Sequence, residues 1–491
     1  MSGPSPSAPG RPRTSPLLGA SRSLLLASSV LGLGMQGSPG PPPSRLLVTL
    51  VPAQGCDEAR SIAHDWEKGG PLPDGSHIAL LDLEKPSAGA VSLTAEWLAA
   101  GRADLSDDGE RFLFVGRRGP GDAFQVYESS LAGGETRQVT HRTGDCLEAI
   151  YLSTLFTIDA EKPEPRICFR SVAEDGVSSL HTCRLDGGDE RRITFQPYGS
   201  ANPLLLADGR LLFVGGLSPA PSASTGLFTI NTDGTDVQAF AAVEDEALRT
   251  SPCETPDGRV IYVEERATET AGSALLDVSE IRSRRSRQEI LRTSSGWLRG
   301  PAALPDGSLV VSWRPDEAGS TYDLFRLNPS APEGLEKLHS TDAWNEIGAV
   351  PIRSRARRPG RSSVVDERAS HGFLYCMDAF LSDLEPGQRI PAERVQQVEI
   401  IAAVLETAQE EVLGIFPVEQ DGSFYVQVPA RTPLRLRLLD GEGHETRAMK
   451  SWIWVMPKEA RGCIGCHEDP ELTPPNRHTQ ALRKPACEVK R

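Results

Sequence analysis

Basic charge is scarce in this 491-residue chain: 52 Lys and Arg stand against 67 Asp and Glu, a net charge of −15. That balance excludes a general nucleic-acid binder, because neutralising phosphates requires clustered cations. The one basic run, Arg282 to Arg287, reads as a solvated loop. Long apolar runs are missing too. Beyond residue 40 nothing approaches the ~20 apolar residues of a spanning helix, so no membrane span is expected in the mature chain. There is no Gly-x-Ser-x-Gly elbow and no βαβ pattern in the C-terminal third, which argues against a hydrolase of the propeller-plus-α/β kind. Turn formers, by contrast, abound: 46 Gly and 39 Pro imply many short strands, and hence an all-β protein of two or three domains.

The N-terminus has the form of an export signal. Arg11, Arg13 and Arg22 precede the short apolar core Leu24 to Leu33, and small residues follow at Gly37-Ser-Pro-Gly40. Residues 1–38 are therefore expected to be a signal peptide, and the protein to work in the periplasm or elsewhere outside a bacterial cytoplasm. Ala53-Gln-Gly55 before Cys56 makes a poor lipid-attachment box, so a soluble exported protein is expected. Export permits disulfides among the nine Cys. Cys168 and Cys183 are placed to bridge neighbouring strands, and buried thiols are the equal alternative.

A repeat emerges when the Asp-Gly turns are aligned. Leu105-Ser-Asp-Asp-Gly-Glu-Arg-Phe-Leu-Phe-Val115 is matched by Leu206-Ala-Asp-Gly-Arg-Leu-Leu-Phe-Val214, Pro256-Asp-Gly-Arg-Val-Ile-Tyr-Val263 and Pro305-Asp-Gly-Ser-Leu-Val-Val-Ser312. Asp108, Asp208, Asp257 and Asp306 are spaced by 100, 49 and 49 residues, so a degenerate copy belongs near Ile167 to Arg170. A second hairpin follows each turn, as in Leu180 to Thr194. Two hairpins per unit make a four-stranded blade, and such blades make a β-propeller. Six blades fit residues 45–355, seven are not excluded, and Arg45 to Val51 is the expected closing strand. The turn motif resembles the propeller repeats of the Tol-system periplasmic protein. Arg353 to Ser363 reads as a linker or crossing loop, with the linker proper at 356–371.

Alternating strands at Val398–Ala402, Glu411–Phe416, Ser423–Val428 and Leu434–Leu439 suggest a small β-sandwich-like domain at 372–460, with Ser451–Met456 as its last strand. Asp342, Trp344, Glu346 and Asp378 flank the join between the domains and are candidates for an interdomain pocket. The segment 461–491 holds the sharpest motif, Cys463-Ile-Gly-Cys466-His467. Two thiols at i and i+3 suit the two vinyl groups of a porphyrin, and the next residue reaches the iron. One covalent haem c is therefore expected, with His467 as the proximal iron ligand. Met449, Met456 and His478 are candidates for the sixth ligand, whereas His444 lies in an exposed-looking turn. Trp452 and Trp454 either wall the haem or pack a core. The competing reading is a structural zinc site of Cys463, Cys466, His478 and Cys487, in a propeller that serves as a scaffold or ligand-binding module.

Gly414-Ile-Phe-Pro-Val-Glu-Gln-Asp-Gly-Ser-Phe424, Val428-Pro-Ala430, Leu438-Leu-Asp440, Met449-Lys-Ser-Trp452, Gly462-Cys-Ile-Gly-Cys-His-Glu468 and Pro474-Pro-Asn476 form an ordered series. It resembles the middle domain of the hydrazine synthase alpha subunit, over roughly residues 340–486. That resemblance implies a propeller, a CxxCH-bound haem, further haem-bearing domains and partner subunits. It also implies an axial Tyr downstream of the motif and a zinc on the motif His. Here no Tyr follows His467, and there is one CxxCH. The expectation is thus an exported monohaem cytochrome-like protein or redox subunit with a redox partner protein, rather than a hydrazine synthase.

Overall fold

The computed structural model describes residues 44–53, 69–85, 89–157, 160–218, 224–241, 247–266, 272–382, 391–405, 409–465 and 478–489. The expected signal peptide, Cys56, Cys466 and His467 lie outside the described residues. From residue 41 onward the chain forms one compact unit. No helix among the described residues is long and apolar enough to cross a membrane.

Six blades of four antiparallel strands make the N-terminal part, the third extended by a short parallel fifth strand. Their innermost strands are Trp344–Pro351, Ala99–Leu105, Cys146–Phe156, Ser200–Leu205, Ala247–Glu254 and Trp297–Ala303. Each packs beside the next, and the last packs on the first, which closes a six-bladed propeller. The second strands explain the stacking. Phe112 to Val115 and Leu211 to Val214 are buried without alternation, because a blade is covered by neighbours on both faces. Outermost strands such as Arg137–Gln138 and Arg191–Arg192 are two residues long and polar, which keeps the rim from templating further strands. Blade 1 joins the two ends of the propeller: Arg45–Pro52 pairs with Trp344–Pro351 in antiparallel register, Leu46 opposite Pro351 and Pro52 opposite Trp344. The N-terminal strand thus sits at the closure, and the innermost place falls to Trp344–Pro351.

The Asp-Gly turns join the first and second strands of their blades, all on one face of the ring. In blade 2, Ser106 Oγ donates to Asp108 Oδ1 at 2.6 Å and Gly109 N donates to Ser106 O at 3.0 Å. The degenerate copy is the strand Glu164–Val172 of blade 3. Bulges interrupt the innermost strands, and at five of them a residue takes positive φ: Arg102, Asn202, Ser251, Gly300 and Gly348. The preceding blade meets those amides that belong to side-chain-bearing residues. Arg102 N donates to Thr49 Oγ1 at 2.9 Å, Asn202 N to Glu148 Oε2 at 2.7 Å, and Ser251 N to Asn202 Oδ1 at 3.1 Å. The bulges are therefore joints between blades.

After Pro351 the chain crosses the Asp-Gly face as a strap. Arg355 N donates to Asp107 O at 2.8 Å, and Arg361 Nη2 donates to Asp208 O at 2.9 Å. Arg361–Ser362 then pairs in parallel with Leu155 and Phe156 of blade 3. Glycine is required beneath the strap. A β-carbon on Gly109 would lie 2.9 Å from the Arg353 carbonyl carbon, and one on Gly209 would lie 2.5 Å from Pro359 O.

Two four-stranded sheets follow, in the orders Ala460–Cys463, His371–Cys376, Phe424–Pro429, Cys487–Glu488 and Glu410–Pro417, Gln397–Ala403, Leu434–Leu439, Glu445–Ala448. Leu374, Phe424 and Val426 of one sheet and Val398, Ile400 and Leu436 of the other share a core, so this is a sandwich. The same cluster continues into Phe195, Phe213 and Phe228 of blades 3 and 4.

Several expectations are corrected. Ser451–Met456 is not a strand: Ile453 makes a single bridge to Leu434, and residues 452 to 456 are all buried. Trp454 leaves the sandwich to pack on Phe195 with ring centroids 5.7 Å apart, and its Nε1 donates to Gly234 O at 3.0 Å. Trp452 packs on Ile401 and Ala403. Both indoles are thus core residues. Cys168 and Cys183 carry no disulfide. Cys168 stands opposite Thr182 and Cys183 opposite Ile167, so the two side chains leave opposite faces of the blade. Burial pushes the thiols of Cys146, Cys183 and Cys253 up to about 12, as expected of inert apolar cysteines. In the basic run, Arg282 and Arg285 are exposed, while Arg287 Nη2 reaches Glu264 at 2.8 Å.

Candidate functional site

The motif is delivered by Ala460–Cys463, an edge strand parallel to His371–Cys376 with Cys463 opposite Cys376. Being in register, the two side chains share a face, and Cys463 packs against the buried core of the sandwich. The chain is held through the next residues. Met377 N donates to Cys463 O at 2.9 Å, and Asp378 N to Ile464 O at 3.2 Å. Glycine brackets the cysteine for steric reasons: a β-carbon on Gly462 would lie 2.5 Å from the Tyr375 ring, and one on Gly465 would lie 2.6 Å from Leu381 O.

The returning chain is tied to the same place. Ala379 N donates to Gly422 O at 2.8 Å, which joins the 377–381 turn to the 419–423 turn. Gln480 N donates to Asp421 Oδ2 at 2.8 Å, and Ala481 N to Ser423 Oγ at 3.0 Å. Cys463 and the chain just past exposed His478, at Gln480 and Ala481, are therefore anchored to one pair of adjoining turns. Met449 is half-buried in the opposite sheet, where its N donates to Leu436 O at 2.9 Å. Met456 is buried at the far end of the delivering strand, where a β-carbon on Gly234 would come within 3.0 Å of its sulfur. His444 is exposed among Asp440 and Glu442.

Two groupings do not survive. Cys463 and Cys487 lie on the two outermost strands of a four-stranded sheet, roughly 14 Å apart at the usual strand spacing. Two thiolates on one zinc lie within about 4 Å of each other, so these cysteines do not share a zinc. Among the described residues no cluster of three His, Cys, Asp or Glu is placed to hold a metal. Among the described residues Trp344, Glu346 and Asp378 do not come together to line an interdomain pocket. Trp344 stacks edge-on against His77 and Glu346 pairs with His339, both in the propeller, while Asp378 caps its own turn by accepting from Phe380 N at 3.0 Å. The strap carries the chain from blade 1 to blade 3 before the sandwich begins, so neighbours in sequence at the join are parted in space.

Sequence reasoning missed Glu459. This buried carboxylate accepts from Met456 N at 2.6 Å and from Asp236 N of blade 4 at 2.8 Å, and burial pushes its pKa up to about 7. Its position four residues before Cys463 carried no signal, because its partner comes from another domain.

The fold and the motif define an all-β protein in which a six-bladed propeller shares its core with a sandwich that carries a CxxCH motif. Residues 381–468 match the family model of the hydrazine synthase alpha subunit middle domain. Hydrazine synthase subunit alpha of Kuenenia stuttgartiensis is 22% identical over 81% of this chain and 63% of its own length. The solved hydrazine synthase of that organism superposes with a TM-score of 0.76, at 20% identity, over 90% of this chain and 72% of the other. The chain is thus similar to the hydrazine synthase alpha subunit, and it spans about 63% of the length of that curated relative.

Proposed function

We propose that this protein is an exported c-type haem protein that passes electrons to a redox partner protein. Cys463 and Cys466 would form the thioether links and His467 would bind the iron. The anchored entry of the motif carries this reading: Gly462 and Gly465 hold Cys463 against two turns, and those turns also fix the chain that returns at Gln480. The family match supports it, since it runs through residue 468 and so spans the motif. Haem would supply one-electron chemistry, while the chain's own part is to hold both thiols and exclude water from one side. His478 is the favoured sixth ligand, because of the three candidates it alone lies close in sequence to residues, Gln480 and Ala481, that bond the turn joined to the one holding Cys463. Met456 is committed to the propeller interface.

Expression with c-type maturation machinery, followed by a haem stain and a reduced spectrum, tests the proposal. The expected result is covalent haem with a c-type band, lost in Cys463→Ala. His478→Ala should open the iron to CO. Purified protein with no covalent haem would remove the reading.

A further inference from the structure

The propeller's central channel holds about 410 Å³, enough for a small ligand, and every blade contributes to its wall. Its charge runs against that of the whole molecule. Five arginines (102, 299, 353, 355 and 358) face three acids (Asp104, Glu148 and Glu254), in a chain with a net charge of −15. The acids are already engaged. Glu148 accepts from Asn202 Nδ2 at 2.8 Å and pairs with Arg170 at 3.3 Å. Asp104 accepts from Tyr151 N at 2.8 Å and faces Arg355 at 3.6 Å, and Glu254 accepts from Ala207 N at 2.8 Å and faces Arg358 at 3.5 Å.

The strap supplies three of the five arginines, all at the Asp-Gly end of the channel. Arg355 is fixed there, with Nε donating to Asp107 Oδ1 at 3.0 Å and Nη2 to Leu105 O at 2.6 Å. Arg353 differs. It lines the same end, and among the described residues its guanidinium meets no carboxylate or carbonyl. Arg353 is exposed at the channel mouth, and partial desolvation and then the neighbouring Arg358 and Arg355 lower its pKa, so cations gather at this end of the channel. A planar guanidinium with unused donors, beside two more, suits an oxyanion.

We infer that the strap end of the channel binds a small oxyanion, a carboxylate or a phosphate, between Arg353, Arg355 and Arg358. No residue of the described part of the CxxCH segment lines this channel, and the inference stands whether or not haem is attached there. The anion would lock the strap to the propeller, since it joins strap residues already paired with Asp107 in the blade 2 turn and Glu254 at the end of the innermost blade 5 strand.

Titration calorimetry of the full chain with inorganic phosphate, and separately with succinate, is the test. Saturable binding of one equivalent of either probe is expected, and the probe that binds identifies the source of the oxyanion. Arg353→Ala should weaken it roughly tenfold or more, as loss of a charged hydrogen bond does. Arg368→Ala, an exposed site elsewhere, should leave it unchanged. If Arg353→Ala lowers the melting temperature, Arg353→Lys decides, because it keeps the charge and loses the fork. No saturable binding of either probe, or equal weakening by the Arg353 and Arg368 variants, would overturn the proposal.

Discussion

The blades and the sandwich bury their sheets in different ways. A blade strand such as Leu211–Gly216 is buried at every residue, because neighbouring blades cover both faces. A sandwich strand such as Phe424–Pro429 alternates buried and half-buried, because only one face meets a core. The propeller is thus stabilised by ring closure, and each blade is held by the next. The sandwich lacks that, and its core is completed by blades 3 and 4 through Trp454, Met456 and Glu459. The difference teaches where the motif's support comes from: the strand that delivers Cys463 is steadied at its start by the propeller and at its end by the sandwich's own turns.

Trp454→Ala should break this arrangement most severely. It removes a fully buried indole at the seam, at a cost of about 3–5 kcal/mol. Chemical denaturation should then show the sandwich unfolding before the ring, and a single transition at unchanged midpoint would refute the coupling. Gly462→Ala acts on the other support. Its β-carbon would press on the Tyr375 ring and cost about 1–3 kcal/mol, read as a lower denaturation midpoint with the propeller intact. A smaller effect is expected from pH. Glu459 keeps its proton up to about pH 7 in the folded protein, whereas a free Glu releases it near 4.5. Stability from this group is therefore present at low pH, declines as pH rises from 4.5 toward 7, and is gone above that. Glu459→Gln should flatten the fall in stability across that window by about 1–2 kcal/mol, measured by denaturation at several pH values. An unchanged slope would show that the seam does not hold this proton.

Much of the propeller was legible because its signals are local. An Asp-Gly turn needs a residue at positive φ, and the strands beside it need apolar residues, so Asp108, Asp208, Asp257 and Asp306 mark the same corner of blades 2, 4, 5 and 6. Four sandwich strands were visible for the same reason. His371–Cys376 escaped notice although its burial alternates, because Gly372 takes one inward position and Phe373 and Tyr375 make the outward positions apolar too, so the residue types do not alternate. Ser451–Met456 misled in the opposite sense: Trp-Ile-Trp-Val-Met has strand composition, yet its two faces are claimed by different domains. The Cys168–Cys183 bridge failed by a one-residue register offset, which no local pattern encodes.

The sequence by itself determined the blade repeat, the all-β class and the CxxCH, because each depends on residues adjacent in the chain. Only the tertiary structure decided that Trp344–Pro351 takes the innermost place in blade 1, that Cys463 and Cys487 stand apart, and that a stretch reading as a linker carries three arginines to the end of the channel. Those outcomes follow from pairings between residues tens to hundreds apart. Such pairings are chosen by packing of the whole ring and sandwich, not by the propensity of any segment.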